Sequence, residues 1–345
     1  MSLGFSQALV FKEAATYGSV EDLTAGIRHQ LLVKPDVSIA KSIDLITAEH
    51  LRQKIGPYDE DSALGAEKVG GSFGGLLPIY YRSSTYEGTF GFILKHLLGG
   101  VATSGPSGTK YTHLHYWNDK LYPGLSFGVN RNDKSYRYHG CQIKSMKLSG
   151  VVGQAVEFSF DIVGKEEVLA AEITPPTVGA QTTPAYWIMK HGTFKVATVS
   201  TPITAFDITF ENQLEESFDR AGGIGSNQIA VLAKTGHSVT GTLKRRLAND
   251  GTTYSKFYER ALAETVTAIE LSFVHPNPAE SDYSLKVILN DVKFTPATPK
   301  GTDRSFIMEE ISFTAYDLYN IGSSFITVTD KVAEPATALG AYDGT

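Results

Sequence analysis

The chain has one cysteine, Cys141, so no internal disulfide forms, and it has neither a CxxC pair nor a Cys/His quartet to hold zinc. That usage fits a reducing compartment. It has no Lys/Arg-rich block and its formal net charge is -6, which disfavours a surface built to grip phosphates. No stretch approaches the roughly 18 apolar residues of a membrane span. The N-terminal MSLGFSQALVFKEAATYG lacks the basic start and apolar core of a signal peptide. Neither signal-directed export nor membrane embedding is expected.

Hydrophobic residues make up 42% of the chain and charged residues 20%, a balance that folds rather than stays disordered. The 33 glycines, 17 tyrosines and 18 phenylalanines are spread through short alternating segments, which favours many strands joined by turns. A length of 345 residues exceeds what one core usually holds, so two domains are expected.

A search for internal repeats finds the same succession of segments twice. Val69, Gly71, Ser72 and Phe73 of KVGGSFGG return 170 positions on as Val239, Gly241, Thr242 and Leu243 of SVTGTLKR. Thr85-Tyr86, Phe90 and Leu94 match Thr253-Tyr254, Tyr258 and Leu262 with helical spacing, so each copy is expected to carry one helix. The first, TYEGTFGFILKHLLGG, ends in a glycine stop at Gly99-Gly100; the second, TYSKFYERALAETV, has none. THLHYW then faces IELSFVH, SMKLS faces DVKFT about Lys147 and Lys293, and EFSF faces EISF. Five matches in one order point to duplication, with loop insertions between fixed elements.

Pro- and Thr-rich EITPPTVGAQTTPAY reads as a linker. The expected organisation is therefore a first domain over 1–170, a linker at 171–186, a second domain over 187–317 and a C-terminal extension at 318–345. Polar segments at about 46–68 and 211–236 read as long loops or hairpin arms. In CQIKSMKL, Ile143 and Met146 fall on opposite parity, which predicts a bulge near Ser145.

The residues offer little chemistry. His113 and His115 alternate onto one strand face as two metal ligands would, but no third ligand stands at useful spacing. VGGSFGG lacks the GK[ST] ending of a phosphate loop. His139 and Cys141 flank Gly140 in an expected hairpin, and they are not expected to act as a nucleophile and its base. Asp59-Glu60-Asp61 and Glu215-Glu216 lie in polar segments where charge is normally solvated. No enzyme constellation, cofactor site or metal site is expected.

FGVNRNDKSYRYHGCQIKSMKLSGVVGQAVEFSFDIVG carries the pattern "gc.v.sl.ls...g..v..sf...g" at Gly140-Cys141, Ile143, Met146, Leu148, Gly153, Val156, Phe158, Phe160 and Gly164. With KEAATYG (Glu13, Tyr17, Gly18) and the helix-ending LLGG, it resembles the tail tube (major tail) proteins of long-tailed bacteriophages. The resemblance implies a mainly β fold, here two tandem β-sandwich or barrel domains each flanked by one α-helix. It also implies six tube domains per ring and rings stacked into a hollow tube for DNA passage, a virion protein made in the host cytoplasm. With two domains per chain, three chains would complete a pseudo-sixfold ring; a hexamer is the alternative. Expected partners are further copies of the chain, the tail terminator and tail tip proteins, and, transiently in the lumen, the tape-measure protein and DNA without specific binding. Another phage structural β protein, a capsid decoration or baseplate subunit, is the alternative reading.

In QAVEFSFDIVG, Val156, Phe158, Phe160 and Ile162 share one face, which must be core. The polar face, Glu157, Ser159 and Asp161 with Glu310, Ser312 and Thr314 of the second copy, is the candidate lumen lining.

Overall fold

The computed structural model describes residues 8–24, 29–47, 62–79, 89–107, 110–119, 121–131, 134–170, 173, 186–217, 229, 231–246, 257–277, 283–295, 308–316 and 326–330. The first half contains β1 (Ala8–Glu13), β2 (His29–Leu32), β3 (Ala40–Thr47), β4 (Ser62–Leu76), α1 (Thr89–Leu98), β5 (Gly99–Ser107), β6 (Lys110–Trp117), β7 (Leu125–Arg131), β8 (Lys134–Val151), β9 (Glu157–Gly164) and β10 (Glu166–Ala170). The second contains β11 (Gly192–Val196), β12 (Val199–Ser200), β13 (Ala205–Ser217), β14 (Val231–Arg246), α2 (Phe257–Leu262), β15 (Thr267–Val274), β16 (Ser284–Thr295), β17 (Met308–Tyr316) and β18 (Ile326–Asp330). The protein is mainly β, as its alternating sequence requires, and its strands join into one antiparallel network.

The same ladder occurs twice. In the first half β1 pairs with β2 and β7, β4 lies between β3 and β9, and β8 pairs with β7, β9 and β10. In the second, β11 pairs with β12 and β15, β14 lies between β13 and β17, and β16 pairs with β15, β17 and β18. The β7–β8 ladder slips by one residue between Leu125 and Phe127, and the β15–β16 ladder slips likewise between Thr267 and Ile269. In the first case Gly140 absorbs the kink at φ 63°, where a Cβ would come within 3.2 Å of Gly18 Cα.

The sequence matches hold better by strand than by residue. Phe160 stands opposite Phe73, and Leu243, the match of Phe73, stands opposite Ile311. The true counterpart of Phe160 is thus Ile311, two residues before the letter match, a slide that keeps every side chain on its face. Lys293 pairs with Thr314 as Gln142 pairs with Val163, so Lys293 corresponds to Gln142 and not to Lys147. IELSFVH, in β15, occupies the place of β7. THLHYW, in β6, belongs to the β5–β6 hairpin, which has no counterpart among the described residues and pairs with β18 of the other half.

The expected bulge is present: between Ile143 and Ser145 the β8–β9 ladder skips Lys144, which turns outward while Ile143 and Met146 both stay buried. α1 ends at the glycine stop, Gly99 at φ 86°. α2 has only six residues and ends without glycine; Glu264 takes the left-handed conformation at φ 50°, and the Thr265 N–H bonds Arg260 O at 3.1 Å.

One buried apolar cluster runs through both halves rather than two separate cores. Val156, Phe158, Phe160 and Ile162 all face it, and the Phe73 ring lies 5.3 Å from Phe127 and 5.5 Å from Phe160. Burying each such ring contributes up to about 3 kcal/mol. α1 closes the first half with Phe92, Ile93, Leu94, Leu97 and Leu98 buried. Of the expected linker, Ile173 is buried with Val10 and Leu23, and its N–H donates to Asn130 Oδ1. The SSFITVTD segment of the C-terminal extension supplies β18, seated between β16 and β6.

The halves are joined by β8, whose residues Ser145 to Val151 pair with Glu211 to Ala205 of β13. Buried Asn212 fastens this joint: its Nδ2 donates to Leu97 O at the end of α1 (2.7 Å) and to Ile143 O beside the bulge (3.1 Å). The polar arms are extensions of the β3–β4 and β13–β14 hairpins, and Lys68 of one pairs with Glu216 of the other at 3.3 Å. Residues 48–61 and 218–228, with Asp59-Glu60-Asp61, lie outside the described residues.

Candidate functional site: a polar sheet face

All six candidate residues lie on the sheet face opposite the core. Glu157, Asp161, Glu310 and Ser312 are exposed, and Ser159 and Thr314 are half-buried, while their strand neighbours Phe158, Phe160, Ile311 and Phe313 are buried. Strand pairing extends the face over six consecutive strands, β9-β8-β13-β14-β17-β16. One row across it runs Ser159, Lys147, Thr209, Thr240, Thr314 and Lys293; the next runs Glu157, Ser149, Asp207, Thr242, Ser312 and Thr295. Ser159 and Thr314 thus share one row, and Glu157 and Ser312 another. Asp161 lies opposite Ser145, which donates to its carboxylate at 2.7 Å, and Glu310 lies opposite Lys244.

Lys147 bonds Asp207 at 2.7 Å, Lys244 bonds Glu310 at 3.0 Å and Lys34 bonds Glu157 at 2.8 Å. Sequence reading missed Asp207 and Lys244 as members of the face, because the β8–β13 joint that brings the halves together leaves no local signature. Alternation in AFDITF and TGTLKR was the available signal.

Three strongly perturbed groups, His115, His139 and Cys141, lie in the core, away from this face. His115 is fully buried with both ring nitrogens unbonded, and burial beside His113 and Lys95 lowers its pKa to about 3. His113 faces Thr103 Oγ1 at 2.9 Å, and β6 is flanked on both sides, so neither histidine is on an edge strand. His139 is held near 4 by burial and bonds Ser126 Oγ at 2.9 Å, but both residues are sealed from solvent. Burial pushes the Cys141 thiol up and out of the reactive range. Among the described residues no three His, Cys, Asp or Glu side chains come together to hold a metal, and no helix is long and apolar enough to cross a membrane.

This broad, shallow, polar surface is laid over one continuous sheet, an arrangement suited to lining a passage rather than to enclosing a substrate. A search of curated proteins returns no match. The family described as "Phage tail tube protein" matches residues 4–315, which takes in both halves and the joint between them. The chain belongs to that phage structural family.

Proposed function

We propose that the chain is a two-domain tail tube subunit, three copies of which close a pseudo-sixfold ring, and that the rings stack into the hollow tail of a siphovirus-type phage. The β8–β13 joint carries this reading. It pairs the end of one tube-like half with the start of the next, which is the contact a ring must repeat. In the first half the strand corresponding to β13 is β3, whose outer edge has no strand partner among the described residues. Ile43 on that edge is 42% exposed, at the position where Asn212 is buried in the second half. The partner edge beyond Thr295 falls outside the described residues.

The joint also sets the geometry. A line of paired residues across the first half runs Ala40, Gly70, Val163, Gln142. Thr209, the counterpart of Ala40, sits opposite Lys147, five residues beyond Gln142, of which one is the bulge. Each half therefore contributes four strands and a shift of about four residues, so six halves give about 24 strands with a shear of about 24 and a tilt near 35°. The tilt does not depend on how many halves close the ring, but the diameter does: six give about 45 Å between backbones and a bore of roughly 35 Å.

In this reading the polar face lines the bore, DNA and the tape-measure protein pass through it during assembly and ejection, and the hairpin arms contact adjacent rings and the terminator and tip proteins. Electron microscopy of the purified protein tests it: striated tubes or three-chain rings with this bore are expected. Isolated compact subunits under assembling conditions, or a ring with another number of repeats, would overturn it. Shortening either arm should leave folded subunits that no longer polymerise.

A further inference from the structure

Charges on the polar face change sign from strand to strand, Glu157 on β9, Lys147 on β8, Asp207 on β13, Lys244 on β14 and Glu310 on β17, while β16 carries both Asp291 and Lys293. Two of these lysines are tied to the next carboxylate in strand order, Lys147 to Asp207 and Lys244 to Glu310, and Lys293 lies 5.9 Å from the Tyr316 ring centroid. Lys144, thrown outward by the bulge, emerges beside Asp161 and Glu211.

Stability does not explain this pattern. The side chains are 50% and 32% exposed in the first pair and 46% and 58% in the second, and such pairs contribute only about 0–1 kcal/mol. Their effect on a polyanion is larger. A lysine free to neutralise a phosphate releases counterions and holds the duplex, whereas one already neutralised by a carboxylate gains little by the exchange.

We propose that Asp207 and Glu310 are masking residues, which engage Lys147 and Lys244 internally so that duplex DNA slides past the face without being held. This rests on the lumenal reading given above. The test polymerises D207N/E310Q tubes and pellets them with a duplex of about 50 base pairs. At about 50 mM salt the variant should retain about tenfold more DNA than wild type, and should lose it by about 200 mM, the dependence expected of two freed lysines. Adding K147T/K244T should abolish the retention. Equal pelleting by variant and wild type at low salt, or retention that survives K147T/K244T, overturns masking. If D207N/E310Q does not polymerise, the single variant E310Q, with or without K244T, is read in the same way. Ser159→Cys separates the two proposals: a bulky maleimide should label free subunits but not tubes. Full labelling in tubes would refute the lumenal reading itself.

Discussion

Removing Glu309 should destabilise the protein far more than removing any surface carboxylate. Arg245 and Glu309 face each other across β14 and β17, Nε to Oε2 at 2.5 Å, with side chains 4% and 1% exposed. The guanidinium lies 4.5 Å from the ring centroid of Phe257 on α2. In the first half the corresponding pair is Gly75 opposite Phe158, where the ring of Phe158 meets Phe90 of α1 edge-on at 5.7 Å. One slot under a helix is thus filled by a phenyl ring and its counterpart by an ion pair. Glu309→Ala leaves a buried guanidinium uncompensated, at a cost of about 3–5 kcal/mol. That should lower the Tm by about 4–7 °C. Replacing both partners by apolar groups, R245M/E309L, follows the solution of the first half and should stay within about 2 kcal/mol of wild type. Urea unfolding of Glu309→Ala, of R245M and E309L singly, and of the R245M/E309L pair measures these free energies. A loss below about 1 kcal/mol for Glu309→Ala, or a double variant as unstable as the sum of the singles, would refute the reasoning.

Gly71→Ala should cost several kcal/mol, on the order of a severe core substitution, since φ is 139° and a Cβ would sit 2.5 Å from Ser38 O; chemical denaturation reads the loss. Asn212→Leu keeps the branched shape but strips both carbonyls at the joint of their donor, so a loss of about 2–4 kcal/mol is expected, with faster hydrogen exchange in β8 and β13. His115 and His139, held near 3 and 4, resist protons that the unfolded chain binds below its ordinary histidine pKa of about 6.5. Their contribution is therefore complete above pH 6.5, falls as the pH drops below that, and levels off near pH 4 for His139 and near pH 3 for His115. Each should cost about 2 kcal/mol between pH 7 and pH 5, visible as a lower urea midpoint that His115→Leu partly flattens.

For the clearly alternating segments the sequence by itself determined which side chains face the core and which face solvent, because alternation has a period of two. Phe158 and Phe160 against Glu157 and Ser159 needed no tertiary information, nor did the bulge at Lys144, since the parity of Ile143 and Met146 cannot otherwise be reconciled with one core. The residue-level correspondence between the halves was beyond its reach. Sliding a strand by two residues keeps every side chain on its side, so EFSF and EISF look equivalent by letter while standing two positions apart in the ladder. The place of β6, the seat of β18, the ion pair under α2 and Asn212 at the joint were also decided only by the tertiary structure. Each depends on contacts between residues far apart in the chain, for which local periodicity carries no signal.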